Sequence, residues 1–186
     1  MRMSEEVENA NPNDPPFCKN GLYHERQWLQ LCLLHTLNCL FQRKEFSKSD
    51  LDRIAESLHD SHWFNRHRSI MGTGNYDVNV LIASLQSRGL SVVWFDVRRS
   101  ARCIILSKVI GFIFNSPSRS FFPFWNGRHW FAVREVADAG YFNFDSKLPE
   151  PAPVPDFVEF ADKLLAEGNQ MMLVVRPENI GCCMSK

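Results

Sequence analysis

Acyl transfer through a thiol needs a nucleophile, an imidazole to take its proton, a carboxylate or carboxamide to orient that imidazole, and donors where the tetrahedral oxyanion forms. The sequence offers a candidate for each: Cys32, His129, Asp145 and Gln27. Gln27 precedes Cys32 by five residues, near enough for its side-chain N–H to join the backbone N–H of Cys32 at an oxyanion. His129 opens the run Arg128–Val133, and Asp145 closes the next one, Tyr141–Ser146. If a hairpin joins them through Ala137 to Ala139, Asp145 stands opposite Phe131, diagonal to His129 on the same face. A loop longer by one residue sets the two on opposite faces. By type alone each residue also has an ordinary role, since histidines sit half-exposed on strands and aspartates cap turns.

Cys32 belongs to a segment whose polar and apolar residues separate at helical spacing. Measured from Cys32 at about 100° per residue, Leu33, Leu34, Leu37, Leu40 and Phe41 fall between about 80° and 200°. His35, Thr36 and Cys39 fall within about 60° of Cys32. The leucine face is a core face, and the other is expected to form a cleft wall. Cys32 lies near the start of this helix, where unpaired backbone N–H groups and the macrodipole favour an anion, and a thiolate is the reactive form of cysteine. Cys39, two turns in, reads as a buried thiol packing as a small hydrophobe. A metal site on Cys32, His35 and Cys39 lacks a second Cys/His cluster to complete four ligands.

Three further helices and a set of strands must position these residues. Leu51, Ile54, Ala55 and Leu58 follow the i, i+3, i+4, i+7 pattern, with Ser47 and Asp50 as a capping box. Val78, Leu81, Ile82 and Leu85 repeat the spacing between Asp77 and Gly89, as do Phe157, Phe160, Ala161 and Leu164 between Asp156 and Gly168. Strands are predicted over Ser91–Phe95, Val109–Phe114, His129–Val136, Tyr141–Phe144 and Met171–Val175. Helices come mostly first and strands mostly later. That order predicts an α+β domain with an N-terminal helical layer packed on a mainly antiparallel sheet.

Length and composition bound the rest. With 186 residues, 45% apolar side chains, 15 Phe and 5 Trp, the chain can bury one ordinary core. One domain is expected over residues 21–178, between a disordered tail at 1–20 and a short tail at 179–186. Lys plus Arg equals Asp plus Glu at 21 each, so no summed positive field gathers phosphates and nucleic acid is not an expected partner. No apolar run approaches the roughly 18 residues of a transmembrane helix, and the N-terminus lacks a signal-peptide core. The six cysteines show no paired spacing, which fits free thiols in a reducing, cytoplasmic or nuclear compartment. Gly72–Asn75 reads as a turn feeding the Asp77 cap rather than a phosphate loop, and His62–Arg68 as a basic connection. Adjacent Cys182 and Cys183 could accept palmitate.

Taken in order, Tyr23–Gln27, Leu31–Asn38, Gly72–Val80, His129–Trp130 and Phe142–Lys147 resemble the Josephin family of deubiquitinating cysteine proteases, most closely its short single-domain members. The resemblance runs from about Leu22 to Pro177. It implies a papain-like α+β fold and hydrolysis of isopeptide or ester bonds at the C-terminus of ubiquitin, by a monomer needing no metal or organic cofactor. Ubiquitin and ubiquitinated proteins would be the partners. By position in the motifs, Cys32 is the nucleophile, His129 the general base and later acid, and Gln27 the oxyanion donor. Asp145 stands where some Josephin domains carry Asn, and as in the short branch it would orient the imidazole and stabilise its charged form. The resemblance makes His35 a wall or packing residue, gives His24 no chemical task, and leaves Trp94 and Trp130 as candidates to grip the ubiquitin tail. The alternative is a ubiquitin-binding module with weak or no catalytic activity.

Overall fold

Short polar side chains start three of the helices where the sequence places them. In this computed structural model, which describes residues 17–19, 21–27, 31–58, 76–118, 127–137 and 139–185, helix α1 spans Cys32–Phe41, α2 Lys48–Ser57, α3 Val78–Gln86 and α4 Phe157–Ala166. At α2 the Ser47 Oγ accepts from the Asp50 N–H at 3.2 Å, and the Asp50 carboxylate accepts from the Ser47 N–H at 2.8 Å. Asp77 accepts from the N–H groups of Asn79 and Val80 at α3, and Asp156 from that of Glu159 at α4. Each bond satisfies a donor that has no partner within the first helical turn. The glycine-rich turn and the basic connection of residues 62–75 lie outside the described residues.

The described residues also form eight strands: β1 Phe17–Lys19, β2 Leu22–His24, β3 Ser91–Trp94, β4 Val109–Ser118, β5 Gly127–Val136, β6 Gly140–Asn143, β7 Ala152–Val154 and β8 Gln170–Val175. β1 and β2 form a two-stranded antiparallel ribbon. The other six make one sheet, in the order β3-β8-β4-β5-β6-β7, with every pairing antiparallel. β7 carries Pro153 and lies at an edge, where a missing N–H costs no ladder bond.

Helices cover both faces of this sheet. Ile113, Trp130, Ala132, Met172 and Val174 pack with the leucines of α1 and with α2 and α3. Phe112, Phe114, Phe131, Val133, Met171, Leu173 and Val175 pack with α4, where Phe112 stacks on Phe157 with centroids 4.0 Å apart. Because β8 is buried on both faces, Met171 to Val175 read as a continuous apolar run instead of an alternating one. The expected helical layer is therefore present, and α4 adds a second layer behind the sheet.

α1 sits close to the sheet because of Gly111. A Cβ there would meet Leu40 Cδ1 at 2.6 Å and the Arg134 Cβ at 3.1 Å, and the β4–β8 register shifts between Val109 and Gly111. At the same end Arg134 donates to the carbonyl of Leu40, a helix-terminal acceptor. Gln42 turns into the left-handed region at φ 55° to close the helix. Its side chain donates to the Cys39 carbonyl at 2.7 Å and accepts from the Tyr23 N–H at 3.0 Å, tying β2 to α1.

Residues 1–16 lie outside the described set, whereas Phe17–Lys19 pair with β2. The C-terminal segment docks: the Ile105 N–H donates to the Cys183 carbonyl at 2.9 Å, the Ser185 N–H donates to the Cys103 carbonyl at 2.7 Å, and Cys183 is fully buried. These backbone bonds hold Ile104 and Met184 in an isolated antiparallel bridge.

Candidate active site

Two backbone features bring distant residues together. Val136 pairs with Gly140 and Val133 with Asn143, so the hairpin joining β5 and β6 has the connection Ala137 to Ala139. The Phe144 N–H donates to the Ala132 carbonyl at 2.8 Å, which continues that register to Asp145 opposite Phe131. Of the two registers the sequence leaves open, this one sets His129 and Asp145 on a single face. His129 Nε2 then donates to Asp145 Oδ1 at 2.6 Å. The carboxylate also accepts from the Lys147 N–H at 2.9 Å, and the Leu148 N–H closes the turn on the Asp145 carbonyl at 2.9 Å.

Cys32 is the first residue of α1, and its thiol is among the groups that raise His129. The N-cap, Leu31, contributes no side-chain bond to the helix start, and the N-terminal end of a helix favours an anion. The Thr36 hydroxyl bonds back to the Cys32 carbonyl at 2.7 Å, fixing this first turn.

The electrostatics follow from these contacts. Burial disfavours the charged imidazole of His129, but hydrogen bonds to Asp145 and Cys32 together with the Asp145 charge outweigh it and raise the histidine above its ordinary value. For Asp145, burial pushes upward, yet the bond and charge of His129 and the Lys147 N–H hold the carboxyl below its ordinary range. Both directions favour an imidazolium–carboxylate pair.

Gln27 reaches the same place through Ser146. Its N–H donates to the Ser146 carbonyl at 2.7 Å, and the Ser146 hydroxyl donates to Gln27 Oε1 at 3.4 Å. Gln27 is thus anchored to the residue that follows Asp145. Three of the candidates, His129, Asp145 and Gln27, are linked through the Asp145–Ser146 turn.

The remaining polar residues of α1 depart from expectation. Instead of lining a cleft, His35, Thr36 and Cys39 are buried, His35 against Glu25 and Cys39 against His24. His35 Nδ1 meets Glu25 Oε2 at 2.6 Å, and Glu25 Oε1 accepts from Asn38 at 3.0 Å and from the Tyr23 hydroxyl. Burial works against the Glu25 charge, but the bonds from His35, Tyr23 and Asn38 win and keep its carboxyl below the usual value. Cys39 lies 4.0 Å from His24 Nδ1, while His24 Nε2 donates to the Leu148 carbonyl at 3.0 Å. Burial pushes the Cys39 thiol up to about 12 and lowers His24. Cys32, His35 and Cys39 therefore turn to different partners, and no group of three or more potential metal ligands exists among the described residues.

Two residues escaped the sequence reading. Glu25 had a usable signal, since His35 and Asn38 are three apart on one helix face and need a partner for their polar stripe. Ser146 had none, because its role depends on the Gln27 main chain reaching it. The tryptophans also resolve. Trp130 is buried beside Cys32 in the core, whereas Trp94 is 48% exposed on β3. Two strands separate β3 from β5, a span of about 14 Å, so Trp94 does not share the site.

A family model described as Josephin matches residues 27–176. A Josephin-like protein of Drosophila melanogaster is 43% identical over 168 residues, covering 86% of this chain and 76% of the relative. Josephin-2 of Homo sapiens is 41% identical over 91% of both chains, and Josephin-2 of Mus musculus 40% identical over 95% of this chain and 96% of its own.

Proposed function

The chain belongs to the Josephin family, and on that premise we propose that it is a thiol-dependent deubiquitinase that hydrolyses isopeptide or ester bonds at the C-terminus of ubiquitin. One observation carries the reading: a buried histidine holds a carboxylate at 2.6 Å, and the thiol that opens α1 is among the groups that raise that histidine.

In this reading His129 takes the proton of the Cys32 thiol, giving the attacking thiolate and an imidazolium. The Cys32 sulfur attacks the C-terminal carbonyl carbon of the ubiquitin moiety, and the carbonyl π electrons move onto oxygen. That oxyanion accepts from the Gln27 side-chain amide and the Cys32 backbone N–H. As the tetrahedral centre collapses, the C–N or C–O bond to the substrate breaks and His129 delivers its proton to the departing amine or alcohol. A water then attacks the thioester, His129 takes its proton, and the thiolate leaves ubiquitin as a free carboxylate. Asp145 keeps the imidazole in the right tautomer throughout and offsets its positive charge. Ubiquitin and ubiquitinated proteins are the partners, met in the cytoplasm or nucleus.

The test is reaction with ubiquitin bearing a C-terminal electrophile, read by intact mass. One ubiquitin should add to the parent and to Cys39→Ala, and none to Cys32→Ala. Binding of the probe with no adduct in the parent would make the chain a ubiquitin-binding module instead, and labelling that survives Cys32→Ala would displace the nucleophile.

A further inference from the structure

We propose that Arg128 is a specificity-determining residue, favouring ubiquitin conjugates that carry an acidic side chain beside the ubiquitinated residue; this rests on the reading of His129 as the group that protonates the departing amine. A proton donor must stand within hydrogen-bond reach of the leaving atom. Residues next to it therefore border the part of the substrate that departs, not the ubiquitin that stays on the sulfur. Arg128 immediately precedes His129 on β5, and it is exposed. Lys147, also exposed, follows Asp145 by two residues, and its charge acts on both His129 and Asp145. Two cations thus stand beside the proton carrier.

Of the two, Arg128 is the one held in place. Its Nε donates to Asn115 Oδ1 and its Nη2 to the Asn115 carbonyl at 2.9 Å, so a single residue of β4 takes both bonds. Asn115 pairs with Trp130, two residues beyond Arg128, which lays the guanidinium along the sheet on the face where Trp130 packs with Cys32. Asn115 is 2% exposed, and its Nδ2 is a buried donor with no hydrogen-bond partner. Arginine can only donate, so the amide must turn its oxygen to Arg128 and leave its own N–H groups unpaired. An unpaired buried donor weighs against folding, and the orientation is kept all the same, which marks the grip on Arg128 as more than a chance surface contact. Neither bond neutralises the cation, and among the described residues Arg128 has no carboxylate partner. Its charge and its Nη1 N–H groups remain for a carboxylate, whose planar shape a guanidinium matches.

The test uses ubiquitin joined by an isopeptide bond to the lysine of one short peptide, made with Asp, Asn or Lys on either side of that lysine, and reads kcat/KM for release of ubiquitin. The parent should favour the Asp-flanked over the Asn-flanked peptide about two- to fivefold at low salt, the range of an exposed ion pair, and added salt should shrink the preference toward unity. Arg128→Gln should bring that ratio close to one, and Arg128→Glu should reverse it in favour of the Lys-flanked peptide. Lys147→Gln, which removes a cation without an anchor, should reduce it less than Arg128→Gln does. Because each ratio is taken within one variant, a general loss of folding or turnover cancels. Equal kcat/KM for all three peptides in the parent, or a preference that survives Arg128→Gln and disappears in Lys147→Gln, would overturn the inference and leave the chain a deubiquitinase. Release of ubiquitin from none of the peptides by the parent would strike at the reading of the site itself, and the inference would fall with it.

Discussion

Among the described residues a histidine–carboxylate pair of 2.6 Å stands at two places near α1, one involving its start and one along its flank. At the start, His129 holds Asp145, and the Cys32 thiol is among the groups that raise the histidine. Along the flank the same parts are separated. Cys39 faces His24, whose other nitrogen meets a backbone carbonyl, and His35 meets Glu25 at 2.6 Å, whose oxygens are shared with Tyr23 and Asn38. The consequence appears in protonation. Burial leaves Cys39 up at about 12 and lowers His24, a neutral and inert contact, whereas His129 is raised and Asp145 lowered into a charged pair. A histidine–carboxylate distance is therefore no mark of a catalytic group, since the two pairs share 2.6 Å and differ in the groups around them.

Substitutions should separate the two regions sharply. Cys32→Ala should abolish turnover of a fluorogenic ubiquitin substrate, while Cys39→Ala should keep kcat/KM within a few-fold and lose roughly 1–2 kcal/mol of stability in urea titration from the vacated core volume. Gln27→Ala should come next, slowing kcat roughly 10²-fold or more with little effect on KM, since an oxyanion donor acts in the transition state. Loss of ubiquitin affinity with kcat intact would turn Gln27 into a docking residue.

Asp145→Ala should cost roughly tenfold or more in kcat/KM, and Asp145→Asn less, because its carboxamide oxygen still accepts from Nε2. Removing the negative charge lowers His129, so the imidazolium is lost at a lower pH and the alkaline limb of the rate profile between pH 5 and 9 should move inward. A profile that Asp145→Asn leaves in place would mean that charge is irrelevant there.

Glu25→Gln should leave that limb where it is. Its effect belongs to folding: the carboxyl is held below its ordinary 4.5, so its stabilisation is present above that value and fades as the pH falls through the lower folded value. The variant should lose roughly 1–3 kcal/mol at neutral pH by urea titration, and less in acid. A shift of the alkaline limb instead would place Glu25 in the catalytic relay.

Much of this was legible before the structure. Ser47, Asp77 and Asp156 announce three helices because a short polar acceptor before an apolar pattern has one efficient use. The β5–β6 register was one of two alternatives, and only the backbone decides between them. The polar stripe of α1 was misread as a cleft wall for a physical reason: helical angles reveal a face that is not leucine, and a covering strand with a glutamate satisfies such a face as well as a cleft does. β1, β2 and β7 span three residues each, too short for a period to show. The second helical layer was hidden because an amphipathic α4 says which of its own sides is buried, never which side of the sheet it covers.

Gly111 gives the site a mechanical vulnerability far from its chemistry. A methyl group there would press on Leu40, which has no room to yield at 1% exposure, and so would lift the C-terminal end of α1 off the sheet. The helix is stiff, and Cys32 lies eight residues, about 12 Å, along it from Leu40. Tilting such a lever arm moves its tip, so a single added carbon on the sheet would be felt as a misaligned sulfur at the opposite end of the helix.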